Sequence, residues 1–560
     1  MHYDFDVIVV GSGISGGWAA KELTEKGLKV ALIERGKMIE HQADYHNEMK
    51  APWEMPFRGI GDQKLFNADY KEQQGLFFNE WTQDHWVNDR QNPYESSGPV
   101  PFQWRRGYQL GGRSLTWGRH VFRRDDHDFE ANLKDGNGSD WPIRYRDIER
   151  WYSYVESFIG VSGDATDKVE GLPNGVFQAP FGLTAPELAL KKRLAEQYDG
   201  RRQLIIGRIA HLREAKEGRA PCQARLICSR GCSYGAYFST QSSTLPAARA
   251  TGNLTLLTDQ IVERVDYDST SKRVTGVSLL SALDGSRKKL TARAVFLNAS
   301  AFNSVGILLR SACESFPNGL GNSSGVLGKY VMDHGATTFV ARIKGFDDRT
   351  YAINRPAAFI IPRYLNVTES QEGLLRGYAF QGGVSRRGYT RGADGPGLGV
   401  ALKKDLKGVG DWIIFMGGFI ETLPRASNAV TLSHAGKDAY GMAQLQINFE
   451  FSDNEHRLAE HATNEARKFA GLMGWDVLFA SPELGRPGSS IHEMGGARMG
   501  RDPATSFLNG FNQSHDIPNL FVTDGAAMAS SGSVNPSLTY MALTARAADY
   551  AVKQMKAGTI

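Results

Sequence analysis

The N-terminal segment constrains the fold of this chain more than any other feature. Residues 5–10 (FDVIVV) form an apolar run with one acidic interruption, and residues 11–17 (GSGISGG) follow directly. Residues 14–26 have helical spacing, and a second apolar run at 29–33 ends at Glu34. This succession predicts a buried parallel strand, a tight turn, a helix and a second strand, which together open a Rossmann-like sheet.

The glycines of this G-x-G-x-x-G pattern have separate expected tasks. Gly11 permits the sharp turn, Gly13 lets a phosphate approach the backbone, and Gly16 allows the helix to pack closely on the strand. The carboxylate of Glu34 is placed to accept hydrogen bonds from ribose hydroxyls. Glycine-rich surface turns are common, but the strand–helix–strand context favours a dinucleotide site. The pattern does not separate FAD from NAD, and its position near the N-terminus favours FAD.

Composition excludes several classes of function. The chain has 560 residues, 41% of them hydrophobic, so we expect two domains with large cores. Lys and Arg number 65 against 61 acidic residues, with no concentrated basic run, so neither nucleic acid nor an anionic membrane is an expected partner. No apolar stretch reaches the roughly 18 residues of a membrane span. The N-terminus has no basic region followed by a long apolar run, so we expect no export signal of its own.

A second glycine cluster lies at residues 108–120 (YQLGGRSLTWGRH). An isolated double glycine is often a surface turn. Here, however, the segment also contains Ser114, which could form hydrogen bonds to a flat ring system, and Trp117, which could cover its face. The segment resembles the glucose–methanol–choline (GMC) family of flavin oxidoreductases. The resemblance implies that the loop containing Gly111, Gly112 and Ser114 runs alongside the isoalloxazine ring of the flavin. Thr116 stands where some members carry a histidine that tethers the flavin, which implies non-covalent FAD.

The C-terminal segment at residues 520–551 carries the most specific part of the resemblance. In the GMC family the corresponding segment contacts the flavin pyrimidine ring and the ribityl chain. The match implicates five positions of this sequence: Asp524, Gly525, Asn535, Pro536 and Thr539.

Residues 489–500 (SSIHEMGGARMG) resemble the histidine loop of the family. Oxidation of a secondary alcohol requires a base for the hydroxyl proton while a hydride moves to flavin N5, and a neutral imidazole suits that task. The base is predicted to be His492, and Asn535 is predicted to orient the same substrate oxygen. An isolated histidine is more often structural, and three others are predicted to be so: His120, His334 and His515.

Three of the four cysteines lie within eleven positions. Cys222, Cys228 and Cys232 have the spacing C-x5-C-x3-C, which is compatible with an iron–sulfur cluster, with zinc, or with three ordinary cysteines. The loop is similar to one in the catalytic subunits of bacterial FAD-dependent sugar dehydrogenases, which implies a [3Fe-4S] cluster. Gln223 stands where some relatives have a second adjacent cysteine. A cluster passes electrons outward one at a time, so it favours a dehydrogenase over an oxygen-using oxidase.

The expected fold is α/β and α+β, with a Rossmann-like FAD-binding domain and a discontinuous substrate domain built on an antiparallel sheet. Strand-like runs at 337–343, 411–421, 428–433 and 443–451 predict that sheet, and residues 454–474 predict an amphipathic helix. The predicted FAD-binding ranges are 1–45, 105–150, 205–335 and 480–560. The predicted substrate-domain and lid ranges are 46–104, 151–204 and 336–479.

The predicted activity is oxidation of a secondary hydroxyl of a pyranose sugar or glycoside, at C3 by resemblance to glucoside 3-dehydrogenases, with electrons leaving through the cluster. The alternatives are glucose C1 or polyol oxidation, an oxygen-using pyranose or glycoside oxidase, and a flavin electron-transfer subunit without substrate chemistry. The resemblance implies a small accessory subunit, a cytochrome c or other acceptor, and export to the periplasm with a partner. Without such a partner, we expect a cytoplasmic enzyme.

Overall fold

A computed structural model describes residues 3–346, 355–388, 391 and 397–560. The strands are β1 Phe5–Val10, β2 Val30–Ile33, β3 Glu95–Ser96, β4 Ile205–Ile206, β5 Leu254–Leu257, β6 Gln260–Asp268, β7 Arg273–Ser281, β8 Arg287–Leu297, β9 Gly335–Ala336, β10 Thr338–Ile343, β11 Phe359–Ile361, β12 Tyr378–Arg386, β13 Trp412–Ile420, β14 Ala429–Lys437, β15 Ala443–Asn448, β16 Asp476–Ser481 and β17 Leu520–Val522. The helices are α1 Ile14–Glu25, α2 Gln63–Asp69, α3 Asp126–Phe129, α4 Ala131–Asp135, α5 Tyr145–Ile159, α6 Ala185–Gln197, α7 Thr244–Ala250, α8 Ala301–Arg310, α9 Gly399–Lys407, α10 Asp453–Met473 and α11 Ser537–Lys556.

The first sheet is built around the predicted N-terminal unit. Its strand order is β5-β2-β1-β8-β7-β6, and β17 pairs with β8. The neighbours of β1 are both parallel to it, and the last four residues of β1 are buried, as a continuous apolar run requires. The half of β8 nearer its N-terminus pairs antiparallel with β7 instead. Helix α1 packs against α7 and α11 on this sheet. The Rossmann-like prediction is confirmed.

The second sheet has the order β16-β10-β13-β12-β11-β4, and β9 pairs with β13. Its described pairings are antiparallel, as predicted. Helix α10 covers one face, because its apolar stripe packs on β10, β13 and β16. The opposite face turns toward the first sheet, where residues of both sheets meet around a cavity.

Two of the predicted strands form a separate small sheet. β14 and β15 pair with each other and not with the second sheet, and β15 also pairs in parallel with β3. The strands of the first sheet all fall within the ranges predicted for FAD binding, whereas β4 in the second sheet begins at Ile205, the first residue of one such range. The proposed domain division stays a prediction.

A single large hydrophobic cluster connects the two main sheets. It contains Ile8 and Val295 of the first sheet together with Phe339 and Ile414 of the second, all buried. Within the described part of the chain, no helix combines the length and the apolar character needed to cross a bilayer.

Candidate active site

A cavity of about 640 Å³ lies between the two main sheets. Its size falls within the range of cofactor and ligand pockets. Most of the residues predicted from the sequence line it: Gly11, Gly13, Glu34, Gly112, Ser114, Trp117, His492, Asp524, Gly525, Asn535 and Pro536.

The glycines after β1 hold the positions that their spacing predicts. Gly11 has a φ of +90°, and a Cβ there would lie 2.4 Å from the carbonyl oxygen of Asn298. A Cβ at Gly16 would lie 1.7 Å from the carbonyl oxygen of Gly11, so only glycine lets α1 approach the turn. A Cβ at Gly13 would meet nothing within 4 Å. Gly13 therefore borders open space inside the cavity, where a phosphate could approach the backbone.

Glu34 joins the two glycine segments through Ser12. The Glu34 Oε2 atom accepts hydrogen bonds from Ser12 Oγ at 2.6 Å and from Ser12 N at 3.1 Å, and Oε1 accepts from Gly36 N at 2.9 Å. The Ser12 hydroxyl oxygen in turn accepts from Gly111 N at 2.8 Å. Burial raises the pKa of Glu34. The carboxylate is thus fixed at the end of β2 and retains capacity for further donors.

The second glycine segment lies over the same cavity. Gly111 has a φ of +81° and turns the chain at the start of a 3₁₀ turn over Gly112–Leu115. The hydroxyl oxygen of Ser114 accepts from Thr240 N at 3.1 Å, and Trp117 Nε1 donates to the carbonyl of Phe238 at 3.0 Å. Gly111 itself does not line the cavity.

The C-terminal segment supplies the opposite wall. Asp524 Oδ1 accepts from Ala526 N and Oδ2 accepts from Ser304 Oγ, and burial raises the pKa of this carboxyl to about 6. Pro536 and the first residue of α11 border the cavity, so the unpaired N–H groups of that helix lie beside it. Thr539 does not line the cavity, because its side chain is fully buried against the hydroxyl of Tyr152 at 2.9 Å.

These residues fit a dinucleotide cofactor. The glycine cradle is open at Gly13, and a fixed carboxylate lies at Glu34. Asn298 Nδ2 is buried at the cavity wall without a hydrogen-bond partner among the described residues. A buried unpaired donor is costly, and a polar ligand in the cavity would satisfy it.

His492 and Asn535 meet at the cavity, although 43 residues separate them in the chain. The Nε2 atom of His492 lies 3.1 Å from Nδ2 of Asn535. The loop before Asn535 is fixed by Arg124, which donates to the carbonyl oxygen of Ser530 at 2.8 Å. Asp333 Oδ1 accepts from the backbone N–H of His492 at 2.9 Å.

One chain of hydrogen bonds determines which ring nitrogen of His492 carries the proton. His334 Nε2 lies 2.7 Å from the carbonyl of Gly532, which only accepts, so this nitrogen carries hydrogen. Its Nδ1 is then the acceptor for Nδ1–H of His492 at 2.9 Å. The lone pair of His492 is therefore on Nε2, where it accepts from Asn535 Nδ2 in the absence of substrate. Gln381 Nε2 donates to Asn535 Oδ1 at 2.6 Å and completes the chain.

The two histidines in this series of hydrogen bonds, His334 and His492, are neutral at pH 7. Burial is the main cause that lowers the pKa of His334 to about 4. Burial also holds the pKa of His492 well below its usual value, and the neighbouring His334 and the guanidinium of Arg113 add to this effect. The neutral state agrees with the donor and acceptor roles assigned above.

Two residues in this series of hydrogen bonds, His334 and Gln381, were not predicted from the sequence as site residues. His334 was predicted to be structural, yet its ring contacts His492, and Gln381 was not singled out at all. The pairing of His334 with His492 spans 158 residues, so no local spacing marks it. Of the other two histidines, His120 lines the cavity and accepts from Ala358 N at 3.2 Å, and His515 lies 3.0 Å from Ser506 Oγ.

The cysteine loop lies outside the cavity. The thiols of Cys222, Cys228 and Cys232 are partly exposed and free. Cys228 Sγ lies 3.6 Å from His211 Nε2, and Cys232 Sγ lies 3.7 Å from the Arg225 guanidinium. No group of three or more metal-binding side chains is arranged around a common point in the described ranges. In this arrangement the three thiols do not form a ligand set.

Comparison with known proteins finds one family over most of these elements. Residues 96–335 and 424–544 match the N- and C-terminal regions described as GMC oxidoreductase, and together they exceed half of the chain. Residues 6–56 match a family described as FAD dependent oxidoreductase. A solved formate oxidase shares the fold, with a TM-score of 0.63, 14% identity and 99% of each chain covered.

Three relatives illustrate the range of named activities. A 2-methyl-1,2-propanediol dehydrogenase from Mycolicibacterium austroafricanum is 28% identical over 97% of this chain and 94% of its own. A fructose dehydrogenase large subunit from Gluconobacter japonicus is 23% identical over 99% and 98%. A C-glycoside 3-oxidase from Microbacterium trichothecenolyticum is 26% identical over 55% and 56%.

Proposed function

Because this chain belongs to the GMC oxidoreductase family, we propose that it is an FAD-dependent dehydrogenase that oxidises a secondary hydroxyl of a pyranose sugar or glycoside. The observation that carries the proposal is the pair formed by His492 Nε2 and Asn535 Nδ2, 3.1 Å apart at the cavity between the two sheets. A lone pair and a polar hydrogen side by side are what a hydroxyl group needs for deprotonation and orientation.

In this proposal the protein residues handle the proton and FAD, when bound, accepts the hydride. His492 Nε2 takes the proton of the substrate hydroxyl, because its Nδ1–H is already committed to His334. Asn535 Nδ2 donates to the same substrate oxygen, and Gln381 keeps the amide of Asn535 in the required orientation. Glu34 and the glycine turn would hold the adenosine and pyrophosphate end of FAD.

The test is flavin bleaching under nitrogen with a panel of sugars, glycosides and polyols. The proposal expects bleaching by at least one pyranose in the wild-type protein and strong slowing in His492→Ala. Near-normal reduction in His492→Ala would exclude this base. A panel without any bleaching would favour the alternative of an electron-transfer subunit.

We further propose C3 as the carbon oxidised. The support is the similarity to a protein named for C3 oxidation of C-glycosides, together with residues 140–152 (DWPIRYRDIERWY), which resemble glucoside 3-dehydrogenases. The competing products are those of C1 or polyol oxidation, since another relative is named for a diol. Carbon-13 NMR of the product distinguishes these outcomes by the position of the new carbonyl.

We also propose that Cys222, Cys228 and Cys232 bind an iron–sulfur cluster, as three ligands of a [3Fe-4S] centre. The spacing supports this, although the thiols do not converge in the structure as described, so we assign no reaction step to the cluster. Iron and acid-labile sulfide in anaerobically purified protein, absent after replacement of the three cysteines by serine, would support it. Absence of both, with peroxide formed during turnover, would make the protein an oxidase.

A partner and an exported location complete the proposal. One relative is named as a large subunit, which supports a smaller accessory subunit here, and a cytochrome c is the proposed acceptor. The protein would reach the periplasm folded, carried by a partner that has an export signal. Fractionation with and without that partner tests this: unchanged periplasmic activity in its absence would contradict co-export.

A further inference from the structure

The face of the second sheet opposite to α10 carries an apolar stripe that begins at the cavity. Phe415 of β13 lines the cavity and is 54% exposed. The register pairs Phe415 with Val340 of β10, and Val340 with Phe479 of β16. Residues directly opposite each other on antiparallel strands point to the same face, so these three side chains lie in one row.

The row lies on the face opposite to α10. Phe339 and Met416 are the sequence neighbours of Val340 and Phe415 and point to the other face of the sheet, on which α10 packs. They are at most 1% exposed. Phe479, by contrast, is 55% exposed. Three strands at their usual spacing make the row about 10 Å wide.

This location favours a particular occupant. The cavity end of the same face carries Gln381, which bonds the amide of Asn535. A sugar held by His492 and Asn535 would therefore lie near the polar Gln381 and near Phe415, from which the apolar row continues to Phe479 beyond the cavity lining. Exposed aromatic rings in a row are costly in water and mark binding surfaces.

Building on the proposed function, we propose that Phe415, Val340 and Phe479 form a subsite for the apolar aglycone of a glycoside substrate. The sugar ring would occupy the cavity at His492, and an aromatic or other apolar aglycone would lie along the row. The preferred substrate class is thus the glycoside with an apolar aglycone and not the free sugar.

The test compares methyl and phenyl β-D-glucopyranoside with the holoenzyme, by anaerobic flavin reduction and by calorimetry. Phe479→Ala is expected to raise the KM and the Kd for the phenyl glucoside two- to ten-fold more than those for the methyl glucoside, since an aromatic contact contributes about 0.5–1.5 kcal/mol. Phe479→Leu retains apolar area and is expected to recover part of the loss. Leu283→Ala, which removes an exposed apolar side chain in the turn between β7 and β8 of the first sheet, is the control.

Equal effects on both glucosides, or none, would overturn the subsite. A change in molar mass of Phe479→Ala by light scattering, without a change in the ratio of the two KM values, would instead assign the row to contact between copies of this chain. If neither glucoside bleaches the flavin, the proposed function fails for glucosides, and calorimetry still decides the subsite: weaker phenyl glucoside binding in Phe479→Ala supports it, and no binding by the wild type rejects it.

Discussion

The proton-accepting capacity of a histidine depends on what surrounds its ring. Burial and the neighbouring Arg113 keep the pKa of His492 well below the usual value near 6.5. The imidazole is therefore already neutral over the whole range in which an exposed histidine would titrate.

The rate of flavin reduction by substrate should consequently stay level as the pH falls from 8 through 6.5. The rate should decrease only at more acidic pH, where Nε2 of His492 becomes protonated and no longer accepts the substrate proton. Stopped-flow reduction across this range, at saturating substrate, measures the profile. Asp333, which accepts from the backbone N–H of His492, titrates in this range because burial raises its pKa to about 7. An inflection near pH 7 that disappears in Asp333→Asn would belong to this carboxyl, whereas one at or above pH 6.5 that persists in this variant would show that another group supplies the base.

His334 is a positioning residue, because it bonds to His492 and does not itself line the cavity. His334→Leu leaves Nδ1–H of His492 without an acceptor and allows the other tautomer, so flavin reduction should slow roughly ten-fold or more. His334→Asn offers an amide oxygen near the place of the lost Nδ1 and should recover much of the rate. A merely structural role predicts equal damage in both variants. His515→Leu is the control, because His515 bonds to Ser506 and does not line the cavity.

At the scale of elements, two glycines at the junction of β1 and α1 have different functions: Gly16 serves packing, and Gly13 serves cofactor binding. Gly13→Ala adds a methyl group to open cavity space, so the variant should fold normally but bind FAD at least ten-fold more weakly. Gly16→Ala forces a methyl group against the Gly11 carbonyl and should destabilise the protein itself by about 1–3 kcal/mol. Thermal unfolding with and without FAD, together with FAD titration, separates the two effects. Similar unfolding of both variants would contradict this division.

The elements that the sequence predicted well are those with strong local patterns. The strand of β1 and the start of α1 agree with the prediction, because a buried apolar run and helical spacing are local signals. The pairing of β15 with the two-residue strand β3 has no such signal, since it joins segments about 350 residues apart. The same reason explains the site: motifs predicted His492 and Asn535, whereas the contacts of His334 and Gln381 exist only in the folded chain.

At the scale of the whole molecule, a buried ionic cluster ties segments that the sequence analysis assigned to different domains. Arg363 Nη1 lies 2.5 Å from Glu421 Oε1 and 3.4 Å from Asp128 Oδ1. Glu421 is fully buried, and Asp128 lies in α3, on the predicted FAD-binding side. Removal of a single buried cation leaves its carboxylates uncompensated, which typically costs about 3–5 kcal/mol.

Arg363→Met should therefore lower the free energy of unfolding by about 3–5 kcal/mol, although Arg363 does not line the cavity. The matched control is Arg287→Met, which breaks an exposed pair with Glu263 and should cost at most about 1 kcal/mol. Urea unfolding, followed both by tryptophan fluorescence and by flavin release, measures the two variants. If the cluster joins the two parts, both signals shift together in Arg363→Met. The contrary outcome is a fluorescence transition at lower urea in Arg363→Met, with flavin released at the same urea concentration as in the wild type. The FAD-binding part would then stay folded without this contact, because it would keep its cofactor after the neighbouring sheet has unfolded.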